Sequence, residues 1–382
     1  MNKNLIPAIV GLNALVDIVF GIGGLFLIQS LSSSILTNGF VASIGSLAII
    51  VSTLFIGNNI DRVNKKRAVV WTNLLMLISL IATIICPPNE MIYFFIIADV
   101  IIGICSLIAN LSLTGSYINW VAKDKLDALV SRTTVFQNVG LILGIAVAMV
   151  LIFVGGHVKI FLVISIGIYL LINVLTLNLK YLPTEDKKAV ENTESASSIV
   201  RVLKELRTDH AAMAFVTINV VNILIQGVFN GLVIYFWGSV DTTFSQIELL
   251  LVAYVIGIGL AILLIKRGWL GIYKLTLILL LAVSIDFLWA PNVWNLSAIA
   301  GLLMMNTIPV LKQTSLRRLE RTDASKHTAH AGVMKFLSSL AIFVCSTFLV
   351  GFLQFIGSGA IILPLITLLV IFVYFKNVKY LT

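Results

Sequence analysis

Residues 5–30 read LIPAIVGLNALVDIVFGIGGLFLIQS, an apolar run with a single ionisable side chain, Asp17, near its middle. An α-helix needs roughly 20 apolar residues to cross the hydrocarbon core of a bilayer, so this run is long enough to span it. Eleven more runs follow, at about 36–57, 68–86, 91–114, 128–154, 158–179, 209–237, 247–265, 270–290, 294–312, 329–354 and 358–377. Hydrophobic residues make up 59% of the chain and charged residues 11%, against about a quarter charged in a soluble domain. The pattern is that of an all-α membrane protein with twelve transmembrane helices. The first run lacks the small-residue pattern of a cleavage site and reads as a retained helix.

The basic residues alternate between loops. Arg62, Lys65, Lys66 and Arg67 follow the second run, Lys123 and Lys125 the fourth, and Lys180 through Arg207 the sixth. Lys266 and Arg267 follow the eighth, and Arg317, Arg318, Arg321 and Lys326 the tenth; the opposite gaps hold only Lys159. Positive loops stay in the cytoplasm, which puts both termini there, in a multi-pass protein of the plasma membrane. The net charge of +9 then follows from topology and from contact with anionic membrane lipids, and implies no nucleic acid.

Residues 180–208 form the one long polar stretch in the middle of the chain. Pro183 to Ser198 is too polar to fold alone, while Ile199, Leu203 and Leu206 share one face of a short interfacial helix. A second surface helix is expected over Lys312 to Lys326, through Leu316 and Leu319. The linker divides the chain into an amino-terminal six-helix bundle (1–179) and a carboxy-terminal one (209–382). Asn13, Asp17 and Phe20 of the first run recur at the same spacing as Asn222, Gln226 and Phe229 of the seventh, as expected of a parallel repeat and two pseudo-symmetric bundles.

Polar side chains within the bilayer are costly and mark function. Asp17 lies about 12 residues, or ~18 Å, into its helix. The fourth run carries Asp99, Gly103, Ser106 and Asn110 along one stripe, and the seventh carries Asn219, Asn222, Gln226 and Asn230. The tenth offers Asn306 and a helix-kinking Pro309. Candidate substrate- or proton-binding residues are therefore Asp17, Asp99, Asn13, Asn110, Asn222, Gln226, Asn230 and Asn306, around a cavity lined by runs 1, 4, 7 and 10. Each amide has a structural alternative, a hydrogen bond to a neighbouring helix. Lys335 is two turns from the cytosol, where snorkelling is one account of it and a partner for a substrate carboxylate the other. Asp286 reads as an interfacial residue at the outer end of the ninth run.

Other chemistry is not signalled. No Gly-rich phosphate loop occurs, His327 and His330 lack a third metal ligand, and no nucleophile–base pair points to an enzyme. Cys86, Cys105 and Cys345 show no metal spacing. The glycines at 21, 23 and 24 and the Gly140/Gly144 pair suit close helix packing, and no cofactor is expected.

The loop Gly57-Asn58-Asn59-Ile60-Asp61-Arg62-Val63-Asn64-Lys65-Lys66-Arg67 resembles the signature loop of the major facilitator superfamily, and with Asp17 it looks most like the macrolide-efflux branch of bacterial drug exporters. The resemblance implies that fold and a conformational latch made by Gly57, Asp61, Arg62, Lys66 and Arg67. The second half keeps only Lys266-Arg267-Gly268 at the matching place, and the fifth run has Gln137, Asn138, Gly140 and Gly144 without the proline of the antiporter signature. The chain thus reads as a secondary active transporter: protons as coupling ion, Asp17 neutralised by a proton or a cationic substrate, and Phe, Trp and Met around a bulky apolar body. Export of an amphipathic neutral or cationic drug, antibiotic or metabolite is expected. The alternatives are import of a neutral sugar or nucleoside, or a non-transporting immunity or sensor protein.

Overall fold

The computed structural model describes residues 5–31, 35–56, 63–114, 126–154, 157–179, 209–239, 244–267, 270–321, 327–349 and 361–377. Twelve long helices run through them. They are α1 (Leu5–Leu31), α2 (Ile35–Ile56), α3 (Lys65–Ile85), α4 (Met91–Thr114), α5 (Leu126–Phe153) and α6 (Val158–Leu177) in the first half. The second half has α7 (His210–Ser239), α8 (Phe244–Arg267), α9 (Leu270–Trp289), α10 (Val293–Arg321), α11 (His327–Val344) and α12 (Ile362–Asn377). Among the described residues nine helices are long and apolar enough to cross a membrane. The outward faces of the twelve helices carry Phe55, Trp71, Ile78, Tyr93, Phe153, Trp289 and Phe372, all largely exposed. Such a surface is untenable in water and ordinary against lipid, and its aromatic members at helix ends suit the membrane interface.

Each half has its own apolar core. One unites residues between Ile6 and Leu179 and the other residues between Ala211 and Tyr374. Neighbour relations repeat with a shift of six helices: α1 packs on α5 and α6, α3 on α4 and α6, and α2 on α4, as α7 packs on α11 and α12, α9 on α10 and α12, and α8 on α10. Two of these crossings use paired glycines. A Cβ on Gly103 would strike the Gly45 backbone between α2 and α4, and one on Gly257 the Gly301 backbone between α8 and α10. Small residues let helix backbones touch where no hydrophobic force drives helices together. The halves meet through α2 with α11 and α5 with α8, again a symmetric pair. The fold is therefore two pseudo-symmetric six-helix bundles.

The helix ends depart from the expected ones at several places, three of them informative. α3 begins at Lys65, three residues early, because the Asn64 side chain caps it by accepting the Arg67 backbone N–H at 3.1 Å. α10 runs unbroken to Arg321, which corrects the separate surface helix expected from Lys312. Residues 310–321 contain no Gly or Pro and many strong helix formers, and Thr314 ties the segment to α7 through Asn219. α11 ends as α-helix at Val344 and widens into a π turn over Cys345–Leu349, where Gly227 leaves room for the Cys345 side chain against α7. The linker, with its expected interfacial helix through Ile199, Leu203 and Leu206, lies outside the described residues.

Candidate functional site

A partly open cavity of about 400 Å³ lies between the two bundles. α1 contributes Val10, Asn13, Ala14 and Asp17; α4 Ser106, Ala109, Asn110 and Leu113; α5 Val130, Thr133, Thr134, Gln137 and Leu141. From the other half come Asn219 and Ile223 of α7, Leu311 and Ser315 of α10, and Ala331, Met334, Lys335 and Ser338 of α11; Met76 of α3 completes the wall. Helices 1, 4 and 5 thus face their counterparts 7, 10 and 11. Every lining segment lies in the part of its helix nearest the side where α1 begins, here termed the near side. The expected set of four helices is extended by α5 and α11.

Asp17 is exposed although it stands at the centre of the molecule, because it faces the cavity. A carboxylate facing lipid would be costly; the cavity gives Asp17 access to water while the protein around it keeps that water scarce. Lys335, half-buried on the opposite bundle, acts on it electrostatically. Asn13 and Asn110 share the cavity, with Asn110 exposed to it. These three of the eight candidate residues come together.

The other five stand elsewhere. Asp99 is off the cavity, where its Oδ2 accepts the Gly45 backbone N–H at 2.9 Å beside the α2–α4 glycine crossing. Asn222 is buried, donates to the Ile218 carbonyl at 2.8 Å and approaches the Tyr273 hydroxyl. Asn306 is buried between α10 and α9; its Oδ1 accepts from Thr276 Oγ1 at 2.5 Å and its amide donates to Leu302 at 2.8 Å. Gln226 is half-buried and Asn230 exposed, both beyond the cavity wall. The stripe on α7 therefore splits: Asn219 turns to the cavity, and Asn222, three residues on, turns into the bundle. Pro309 sits inside α10, which continues through it.

Of the latch residues, Gly57, Asp61 and Arg62 lie outside the described residues. Lys66 donates to the Leu177 carbonyl at 2.8 Å and also to that of Leu179, satisfying backbone oxygens at the end of α6 that a helix terminus leaves open. Arg67 is exposed in the first turn of α3.

Sequence reasoning left out the α5 and α11 faces. Val130, Thr133, Thr134, Gln137 and Leu141 have helical spacing, as do Ala331, Met334, Lys335 and Ser338. Hydroxyls are cheap in membranes, so threonines and serines drew less notice than carboxylates and amides; the spacing was the available signal. Also unforeseen was the contact of Lys312 with Asp127 at 3.7 Å, which joins α10 to α5 at the near side.

The far side is sealed. Leu141, Ile142, Ile145 and Met149 of α5 pack with Ile18, with Tyr254, Ile258 and Ala261 of α8 and with Met304 and Ile308 of α10. Beyond them the Ser43 and Thr347 hydroxyls hydrogen-bond across the halves at 2.7 Å. Among the described residues the lining contains aliphatic and methionine side chains but no aromatic one, which corrects the expectation of Phe and Trp around the substrate as far as those residues go. The aromatics are spent on packing, as in the stacked Phe20–Phe95 pair at 4.9 Å, and on the lipid face.

Residues 8–344 match the family model described as Major Facilitator Superfamily. No curated protein matches the chain in sequence. Among solved structures the chain is similar to a Major Facilitator Superfamily transporter, FucP, in the outward conformation, with 12% identity and a TM-score of 0.72 over 100% of this chain and 99% of that one. FucP is described elsewhere as the E. coli fucose:proton symporter. The chain is similar also to the human organic anion transporter MFSD10 (TETRAN), at 12% identity and TM-score 0.70 over 98% and 99% of the two chains. The proton:xylose symporter XylE bound to 6-bromo-6-deoxy-D-glucose gives 13%, 0.68, 99% and 97%. At these identities the likeness shows the fold.

Proposed function

Because this chain belongs to the Major Facilitator Superfamily, we propose that it is a proton-coupled secondary active transporter that exports small amphipathic molecules, neutral or cationic, by alternating access. The bundles 1–179 and 209–382 rock about the cavity, and the linker 180–208 and both termini face the cytoplasm of a cell whose plasma membrane holds the protein. By the loop charges, the near side is the cytoplasmic one. The observation that carries the reading is Asp17, a carboxylate exposed to a cavity between two bundles and deep within an apolar helix.

Charge explains how such a site couples two fluxes. An ionised carboxylate in a poorly hydrated cavity is stabilised by a proton or by a cationic group. When the two compete, release of one on the far side favours capture of the other on the near side. The membrane potential contributes roughly 2.3 kcal/mol per charge per 100 mV, enough to bias the cycle. The macrolide-efflux likeness of the loop after α2 supports the outward direction. Asp17→Asn is expected to abolish proton-driven ethidium accumulation in everted vesicles while membrane insertion stays normal; undiminished accumulation removes Asp17 from the mechanism.

Import of a neutral polar solute such as a sugar or nucleoside is favoured by one observation. The lining is rich in neutral hydrogen-bonding groups, among them Asn13, Ser106, Asn110, Gln137, Asn219 and Ser338, and among the described residues has no aromatic. Uptake of labelled solute into right-side-out vesicles under an imposed inward proton gradient, without dye extrusion, would decide for it.

A further inference from the structure

The residues lining the cavity include two ionisable side chains, of opposite sign, one from each bundle: Asp17 on α1 and Lys335 on α11. They interact electrostatically across the space but are not bonded to each other. Other nearby charges either do not line the space or have a partner at its rim. Asp99 lies off the cavity and accepts the Gly45 N–H, although its charge also acts on Asp17, and Lys312 meets Asp127 at the near-side rim. The rest of the polar lining is neutral amide and hydroxyl.

We propose that Asp17 and Lys335 form a two-pole clamp for a zwitterionic small molecule, whose ammonium pairs with Asp17 and whose carboxylate pairs with Lys335. The class is that of amino-acid and short-peptide derivatives. Lys335 is then a substrate-binding residue, and its place in the cavity wall replaces the snorkelling account.

The selection follows from matching poles in a confined space. A monocation paired with Asp17 leaves Lys335 unmatched and is repelled by it; a monoanion meets the reverse penalty. Unpaired and like-signed charges are the usual means by which a site rejects the wrong ligand. A zwitterion satisfies both poles and brings no net charge into the membrane. A cavity of about 400 Å³ is at the lower end of small-molecule sites and suits a dipeptide-sized body. Since the poles stand on different bundles, one ligand touching both is bound best at one separation of the halves. Binding therefore biases the equilibrium between conformations through differential affinity, which is what a transport cycle requires.

The proposal rests on the transport reading but narrows its cargo, placing zwitterions ahead of the neutral and cationic molecules named there, and the test separates the two. Full-length protein in lipid nanodiscs is titrated calorimetrically with phenylalanyl-leucine (zwitterion), its carboxy-terminal amide (cation), its N-acetyl form (anion) and the N-acetyl amide (neutral). The zwitterion is expected to bind wild type about tenfold tighter than the neutral form. Lys335→Gln should move the preference to the cation and Asp17→Asn to the anion, whereas Lys335→Arg should keep the zwitterion first. The same rank order in wild type, Lys335→Gln and Asp17→Asn, a singly charged favourite in wild type, or no binding by any of the four overturns the clamp. Ethidium flux in proteoliposomes from a preparation that fails this titration would leave transport standing without the clamp. Charge-matched binding with no movement of labelled dipeptide under a proton gradient of either direction would do the opposite.

Discussion

At the scale of single residues, the polar groups divide between those that face the cavity and those that tie helices together. Thr314 does the second: its hydroxyl donates to Asn219 Oδ1 at 2.7 Å and, within α10, to the Val310 carbonyl at 2.8 Å. Replacing it with valine keeps the shape and removes the cross-helix donor. In membranes such bonds average about 0.6 kcal/mol and reach about 1.7, so Thr314→Val is expected to lower unfolding stability by about that range. Because Asn219 also lines the cavity, the same variant should weaken ligand binding; a steric-trap unfolding assay alongside a binding titration checks both. Asn306→Ala acts between α10 and α9 instead and should cost a similar amount while leaving ligand affinity unchanged. These assignments were only partly legible in the sequence. Asp17, Asn13 and Asn110 could be read because an ionised or amide group in an apolar helix needs a reason. Whether Asn222 or Asn219 turns to the cavity could not, since positions three residues apart differ by only about 60° of helix rotation and the direction of the partner bundle is absent from the local pattern.

At the scale of the helix, backbone contact at paired glycines sets the crossings, and α8 supplies its own control. A Cβ on Gly257 would run into the Gly301 backbone, whereas one on Gly259 meets nothing within 4 Å. Both replacements by alanine raise helix propensity by up to about 1 kcal/mol. Gly257→Ala must in addition push α8 and α10 apart, and overpacking costs about 1–3 kcal/mol. The expected outcome is a lower melting temperature for Gly257→Ala and an unchanged or raised one for Gly259→Ala, read by fluorescence-detected thermal unfolding; equal behaviour would mean that the crossing tolerates a wider gap. Helix number and order were legible because each span is a long apolar run and each turn carries charge, Gly, Pro or, after the first run, three serines. Helix ends were less so. The end of α10 was hidden because the charged residues after Lys312 mark where the bilayer stops, and a helix need not stop there.

At the scale of the whole molecule, the bundles are held together at the two ends of the cavity by unequal means. The far side has an apolar plug from α5, α8 and α10 and the Ser43–Thr347 bond between α2 and the π turn; at the near side α10 meets α5 through Lys312 and Asp127, the latter 62% exposed. An exposed pair is worth at most about 1 kcal/mol, so Asp127→Asn should shift the balance between states by no more than about fivefold, seen as modestly faster labelling of a cysteine placed at Ser315. The far closure is the stronger, and alternating access requires it to break. The twofold logic was visible in the sequence only as a three-residue echo; the repeated helix neighbours and the matched glycine crossings show it in space, since symmetry of packing outlasts likeness of side chains. If the halves must part at the far side in each cycle, joining them there must stop it. In a background without the native cysteines, Ser43→Cys with Thr347→Cys should form a disulfide on oxidation, halt transport by an order of magnitude or more, and recover on reduction. Ligand binding from the near side should survive the crosslink, because the cavity lies wholly on that side of the plug. Transport that continues at full rate with the bond formed would mean that the bundles do not separate at α2 and α11, and that substrate leaves by another path.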